Sequence, residues 1–521
     1  MGIYFNPGSK LFREAISSKI YVDKTGLLAY TNSCLNTGQK YLCVSRPRRF
    51  GKSTTANMLA AYYGMGEDTS ALFSDFAISR DASFPLHRNR YHVISLNMQS
   101  FLSRSKNLPG MLDKISLYLC RELLRAYPDI DYMDPEDLVE ILQDIHADTG
   151  IPFVFIIDEW DCIFRERKQE AKEQKQYLDF LRLLLKDQSY VALAYMTGIL
   201  PVKKYGTHSA LNMFDEYSMT NPAALAEYVG FTQEEVKELC GKFGMNFEEA
   251  KRWYDGYSFP RERHVYSPRS VVQSMLNGCF DTYWNQTETF DALRTYIVMN
   301  FDRLQDSVTE LLAGGSIRVD TGSFSNDMTT FHSADDVLTL LIHLGYLAYD
   351  FDKKSVHVPN KEVAEVFAAA IKTSGWSYVA GALENSDRLL RAIWKREEET
   401  VAAGIEAAHL DTSILTYNDE NSLSCTIALA LYCAEEYYLS VREMPAGKGF
   451  ADIVYLPRPQ HVEKPALVVE LKWNRDAEGA IRQIQEKQYP EILRKFAGKI
   501  LLVGVNYDKK TKKHTCRIEE V

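Results

Sequence analysis

The sequence predicts a multidomain α/β protein: a parallel sheet with crossover helices in the first third, a helical middle, and a separate compact α/β unit at the C-terminus. Three observations carry this. The chain has 521 residues, too many for one hydrophobic core, and domains of roughly 100–200 residues divide it into three or four units. Short apolar runs alternate with helical patterns over the first third, the pattern of strands joined by crossover helices. After a mostly helical stretch over residues 300–400, strand-like runs return from Phe450 onward.

Taken in order, Tyr41–Ser45 is a short β-like run, followed by a loop of Arg, Pro and Gly and a helical pattern over Thr54–Tyr63. Tyr91–Leu96, Phe153–Ile157 and Tyr190–Tyr195 are further strands, with helices such as Leu108–Tyr127 and Lys172–Lys186 between them. Their near-continuous apolar character fits a sheet buried on both faces. Pro222–Met245 and Phe247–Tyr254 read as short helices, with Asn221-Pro222 and Ser267-Pro268 at helix starts or turns. That portion has the pattern of a small helical lid or winged-helix unit. Leu338–Tyr349 is the clearest apolar stretch of the helical middle. In the last part, Phe450–Leu456 and Ala466–Trp473 read as strands separated by a Pro457-Arg-Pro-Gln turn. A helix over Glu478–Tyr489 and a last core strand over Lys499–Val505 follow.

A hydrophobic fraction of 46% and a charged fraction of 25% are ordinary globular values. The net charge of −10 offers no overall basic face for nucleic acid. A local concentration exists at Lys509, Lys510, Lys512, Lys513, His514 and Arg517, which is either a basic groove or a solvated hairpin rim. The nine cysteines include no C-x-x-C pair and are irregularly spaced, which argues for buried thiols in a reducing cytosol rather than a disulfide framework or a zinc site. The N-terminal MGIYFNPGSK lacks a signal-peptide pattern, and Asn6 breaks the myristoylation motif. No apolar run approaches the ~18 residues of a membrane span. The expectation is a soluble, cytoplasmic protein with no membrane partner.

The loop after the first strand reads Ser45-Arg-Pro-Arg-Arg-Phe-Gly51-Lys52-Ser53. It matches the phosphate-binding pattern G-x-x-x-x-G-K-[ST] except that Arg46 stands at the first glycine. Glycine lets backbone N–H groups curl around phosphate oxygens, and a helix starting there aims its positive end at the same anion. Phe50 and Thr54 flank the motif within the loop and the helix start. In this reading Lys52 bridges the β- and γ-phosphates of ATP and Ser53 ligates Mg²⁺. Asp158 closes the apolar run Phe153–Ile157 at the strand's carboxyl end, where ligands of open α/β sheets bind. It would hold Mg²⁺ through water, and Glu159 would polarise the attacking water. Thr197, at the end of the next strand, is either a γ-phosphate sensor or a Thr-Gly turn. Arg48 and Arg49 touch phosphate, reach a neighbouring subunit, or are surface charge.

A second constellation lies near the C-terminus, with Asp452 on one strand and Glu470 and Lys472 on the next. Residues two apart on a strand share a face, so Glu470 and Lys472 point the same way. Charges in the apolar run Ala466–Trp473 need a reason, because burying them unpaired is costly. Two carboxylates and a lysine suit metal-dependent phosphodiester cleavage: Asp452 and Glu470 would hold Mg²⁺, and Lys472 would position or activate water.

Together Tyr21-Val-Asp23-Lys24-Thr25, Arg46–Ser53, Ile157-Asp-Glu159, Trp253-Tyr-Asp-Gly-Tyr257 and Tyr266-Ser-Pro268 resemble a bacterial family of AAA-ATPase-like proteins fused to a PD-(D/E)XK nuclease-superfamily domain. In that family the arginine-rich loop is normal. The resemblance implies an AAA-like P-loop domain over residues 1–220, a helical or winged-helix lid over 221–300, a mostly helical connector over 301–400 and a restriction-endonuclease-like domain over 401–521. It further implies an upstream acidic metal ligand, first Glu420 and otherwise Glu435 or Glu436, and a Gln483…Tyr489 element beside the nuclease site. The implied partners are ATP and DNA or RNA, with a homo-oligomer where an arginine acts across an interface. Three functions compete: an ATP-regulated nuclease, a non-cleaving ATP-dependent switch that binds nucleic acid or protein, and a nucleotide-binding interaction protein with structural carboxylates.

Overall fold

A computed structural model describes residues 2–166, 171–202, 211–262, 264–284, 304–325, 331–373, 377–410, 420–446, 449–486 and 498–521. The chain forms two compact units, one made of Met1–Asn285 with Arg318–Val363, the other of Gln286–Ile317 with Ala364–Val521. Among the described residues no helix is long and apolar enough to cross a membrane.

The first unit is built on strands β1 (Tyr41–Ser45), β2 (His92–Asn97), β3 (Phe153–Asp158), β4 (Val191–Gly198) and β5 (Asp215–Tyr217), in the order β2-β3-β4-β1-β5. All neighbours run parallel. Every residue of β1, β3 and β4 is buried, which explains their unbroken apolar sequences. The register aligns the carboxyl ends: Asn97 lies beside Asp158, Asp158 beside Thr197, and Ser45 beside Gly198. The helix Lys52–Tyr63 starts directly from this edge.

The expected helix over Pro222–Met245 is broken. Gly230 takes φ +126, Phe231–Thr232 is a short strand, β6, and the helix begins only at Gln233. Thr232 and Glu235 form a reciprocal capping box, which sets that start. β6 pairs antiparallel with β7 (Val265–Tyr266). The helices Gln233–Phe243, Phe247–Tyr254 and Pro268–Asn277 pack around Phe231, Val236, Leu239, Trp253, Tyr266 and Val271. The motif Tyr21–Thr25 ties this group to the N-terminus: Lys24 Nζ donates to Glu235 and to the Glu227 carbonyl, each at 2.7 Å.

The described residues between 300 and 400 are mostly helical, as expected, in Leu304–Leu312, Ala334–Leu344, Lys361–Thr373 and Ser377–Lys395. The helix Ala334–Leu344 lies in sequence between the short strand β8 (Ile317–Arg318) and the strands β9 (Ala348–Asp350) and β10 (Ser355–His357), which form a small sheet in the order β8-β10-β9 that the sequence did not announce. Strands of two or three residues carry too little periodicity to be read in advance.

The second unit has a mixed sheet of β11 (Tyr438–Ala446), β12 (Gly449–Pro457), β13 (Ala466–Trp473), β14 (Ile500–Asp508) and β15 (Lys513–Glu520), in that order. Only β13 and β14 run parallel. One face packs on helices through Leu390, Ile393, Ile405, Ile427 and Val503. The other carries the helix Ala477–Glu486, whose Ile481 and Ile484 share a core with Val468 and Leu502.

Candidate nucleotide and nuclease sites

The turn from β1 into its helix places Gly51 at φ +92, a conformation that favours glycine, with open space where a Cβ would lie. From the first helical turn, Ser53 Oγ donates to Asp158 Oδ2 at 2.7 Å. Asn97 Nδ2 approaches the same oxygen at 3.4 Å from β2. Lys52 is buried, and its ammonium donates to the Pro47 carbonyl at 2.9 Å across the loop. Burial pushes the Lys52 pKa down against the opposing pull of Glu159, Asp158 and Asp161. Burial raises the Asp158 pKa, while the Ser53 hydrogen bond and Lys52 act against it.

Glu159, at φ +55, forms an ion pair with Arg165, and burial raises its pKa against that partner. Arg165 also lies 3.2 Å from Asp161, whose Oδ2 accepts from the backbone of Ile199 and Leu200 at 3.0 and 2.9 Å. Sequence reasoning missed Asn97, Asp161 and Arg165. The legible signal was a polar residue ending the apolar run of β2. Thr197 is fully buried beside Asp158, and its hydroxyl has no hydrogen-bond partner among the described residues.

The loop arginines divide. Arg46, at the position of the motif's first glycine, is fully buried and donates to the carbonyls of Ser45 and Tyr217, each at 2.9 Å, and of Leu225 at 3.4 Å, rather than lying open on the loop. Its guanidinium lies over the Phe259 ring at 5.2 Å, and burial pulls its pKa down to about 10. Phe50 is likewise a packing residue, edge-on to Tyr257 and Trp284. Arg49 donates to the Tyr283 carbonyl at 2.9 Å. Arg48 is partly exposed, and Thr54 is exposed on the helix. Tyr257 of the Trp253–Tyr257 motif donates to the Gly345 carbonyl at 2.5 Å.

In the second unit, β12 and β13 bring Asp452, Glu470 and Lys472 together. The Leu471 N–H donates to Asp452 Oδ2 at 2.7 Å, and Lys472 Nζ lies 3.2 Å from Glu470 Oε1. Gln483, from the helix Ala477–Glu486, donates to the same Glu470 oxygen. Glu470 and Lys472 are both buried. That helix approaches closely because Gly504 faces it: a Cβ there would lie 2.5 Å from the Ala477 carbonyl oxygen. Asn506, beside Lys472 in register, was not anticipated; its Oδ1 accepts from the Arg475 N–H at 2.9 Å. Glu420 begins the helix Glu420–Ala430, but its side chain lies outside the described residues, as does Tyr489. Glu435 and Glu436 fall in the short turn before β11.

Among the described residues no three His, Cys, Asp or Glu side chains gather as a metal cluster. The donors present still fit Mg²⁺, which commonly takes one or two carboxylates and completes its shell with substrate phosphate and water. Ser53 with Asp158 is one such set and Asp452 with Glu470 the other.

A parallel sheet whose first strand turns through Gly51-Lys52-Ser53 into a helix, with an acidic strand end against that serine, defines a P-loop nucleotide-binding domain. The chain joins a domain of the predicted AAA-ATPase family, matched over residues 8–207, to one of the PD-(D/E)XK nuclease superfamily, matched over 419–516. A curated relative, an uncharacterized protein in the vnfD 5′ region of Azotobacter chroococcum mcd 1, is 26% identical over 276 residues, or 52% of this chain and 51% of its own length. The chain thus spans about half the length of that relative. Among solved structures, the Walker-type ATPase PABY2304 of Pyrococcus abyssi is similar at 14% identity and a TM-score of 0.31, covering 66% of this chain and 94% of its own. The ORC2 protein of Aeropyrum pernix, in ADPNP–ADP complexes, is similar at 12% identity and a TM-score of 0.30, covering 71% and 98%.

Proposed function

We propose that the chain binds and hydrolyses ATP with Mg²⁺ at the P-loop, and that its C-terminal domain cleaves phosphodiester bonds of DNA or RNA under nucleotide control. The 2.7 Å contact between Ser53 and Asp158 supports the first part most directly, because it pairs a metal-binding hydroxyl with the acidic strand end. The Lys52 ammonium would leave the Pro47 carbonyl for the β- and γ-phosphates, exchanging a neutral acceptor for an anionic one. Glu159 would accept the proton of the attacking water, its carboxylate held by Arg165.

Support for nuclease chemistry comes from the buried Glu470–Lys472 pair, since desolvated charges are poor stabilisers of a fold. Asp452 and Glu470 would hold Mg²⁺, which would supply Lewis-acid stabilisation of the phosphoryl oxygens. Lys472 would position the attacking water, and Gln483 would fix the orientation of Glu470. The net charge of −10 favours a second reading, a nucleotide-driven switch that binds without cutting.

The test is cleavage of labelled single- and double-stranded DNA and RNA with Mg²⁺ or Mn²⁺, with and without ATP. Lys472→Ala and Lys52→Ala proteins run alongside. Cleavage lost in Lys472→Ala and altered in Lys52→Ala is the expected result. No cleavage under any condition, with ATP still bound, favours the switch.

A further inference from the structure

The lysine run near the C-terminus occupies a defined place on the nuclease-like sheet. Lys513 is the first residue of β15 and pairs with Asp508, the last residue of β14, and Lys509–Lys512 form the turn between them. The turn is fixed from both sides. Asp508 Oδ1 accepts from the N–H groups of Lys510 and Thr511 at 2.7 and 3.1 Å, and Asn474 Oδ1, just past β13, accepts from the Lys509 N–H at 2.8 Å. Lys512 completes the reversal at φ +57. The backbone under the four lysines is therefore preorganised, while their side chains are exposed.

The turn also lies on the face and at the end of the sheet that carry the candidate nuclease residues. Glu470 pairs with Gly504 and Lys472 with Asn506 on β14. Gly504, Asn506 and Asp508 pair in turn with Arg517, Thr515 and Lys513 on β15. These side chains share one face, because alternate residues point the same way and paired residues point together. From the strand spacing and rise, Lys513 sits about 12 Å from Lys472 along that face.

The basic groups of this sheet are not equivalent. Arg517 lies 3.4 Å from Glu398, and Lys499 lies 3.4 Å from Glu520. Lys509, Lys510, Lys512 and Lys513 have no carboxylate within ion-pair distance among the described residues, although the chain as a whole is acidic. Four like charges on one rigid turn repel each other, and the arrangement is relieved by a polyanion.

We infer that this turn is a phosphate-backbone contact for nucleic acid, holding the strand on the face that presents Asp452, Glu470 and Lys472. The inference rests on the nuclease-domain reading above and adds the element that captures the substrate. The contact is to phosphate, so it carries no base preference and does not discriminate DNA from RNA.

The experiment compares the full chain with a Lys509→Gln/Lys510→Gln/Lys512→Gln/Lys513→Gln variant, binding labelled single-stranded DNA and RNA in EDTA across a salt series. Equal melting temperature and ATP affinity establish that the variant is folded. At ~0.7 per neutralised phosphate on single strands, the slope of log affinity against log salt becomes shallower by about 3 for both polymers, and affinity at low salt falls by more than tenfold. A four-arginine variant retains the wild-type slope. Wild-type binding with an unchanged slope in the glutamine variant overturns this inference and leaves the nuclease reading standing. A wild-type chain that binds neither polymer overturns both.

Discussion

Gly345 packs directly against Pro47. A Cβ at residue 345 would lie 2.8 Å from the Pro47 ring and 2.9 Å from Trp284, and the glycine holds φ +87. The phosphate loop therefore takes part of its shape from a segment far along the sequence. Gly345→Ala would combine backbone strain with a clash against the loop, for a destabilisation of about 1–3 kcal/mol. ATP affinity is expected to fall several-fold with it, measured by titration of a fluorescent nucleotide. Unchanged affinity and melting temperature would show that the loop yields without cost.

Arg46 gives a different expectation from an ordinary loop arginine. Its guanidinium joins the carbonyls of Ser45, Tyr217 and Leu225 in the interior. Arg46→Ala strips these carbonyls of donors and leaves a cavity, at a cost of about 3–5 kcal/mol. Arg46→Lys does not restore stability, because an ammonium lacks the planar fork. A phosphate-binding role would instead leave the melting temperature of the nucleotide-free protein unchanged in both variants.

Glu159 as the base for hydrolysis predicts that Glu159→Gln lowers kcat by about 10²–10⁴-fold while ATP binding persists. Burial raises the Glu159 pKa, so the carboxylate is protonated at a higher pH than usual and hydrolysis falls on an acid limb above the ordinary carboxylate range. The Arg165 charge opposes that rise. Arg165→Gln should therefore move the limb to still higher pH in a pH–rate profile. A limb that stays put separates Glu159 from the proton transfer.

His343 predicts acid sensitivity of the first unit. It is buried, with its pKa depressed to about 3 by burial and by the nearby Arg46 charge. The unfolded chain takes up this proton first, near pH ~6.5. The stability tied to the neutral ring is complete above that pH and is lost as the pH falls toward the folded value, by about 2 kcal/mol at pH ~5. The stability of the wild type relative to His343→Leu should therefore fall by about 2 kcal/mol between pH ~7.5 and pH ~5. Parallel pH profiles would contradict this assignment.

The sequence made the buried strands legible because β1, β3, β4, β13 and β14 are mostly apolar, broken within β13 by Glu470 and Lys472 and in β14 by Asn506 and Asp508. It concealed β11 and β15, the edge strands of the second sheet. β11 contains Arg442, Glu443 and Pro445, and β15 alternates charged and buried residues, so its lysines read as a surface run. Gly51-Lys52-Ser53 and Asp158 were legible because their spacing follows local strand–turn–helix geometry. The roles of Arg46 and Phe50 were not, since both depend on partners brought in from beyond residue 216. Asn97 and Asn506 were marked only by a polar residue ending an apolar run.

The division of the chain into two interleaved units has a consequence for its biosynthesis. A ribosome delivers Met1–Asn285 long before Arg318–Val363, and Gln286–Ile317 before the Ala364–Val521 segment it joins. The nascent first unit must wait for Gly345 before the wall of its phosphate loop exists. The first unit therefore closes only after Arg318–Val363 has left the ribosome, in place of purely vectorial folding.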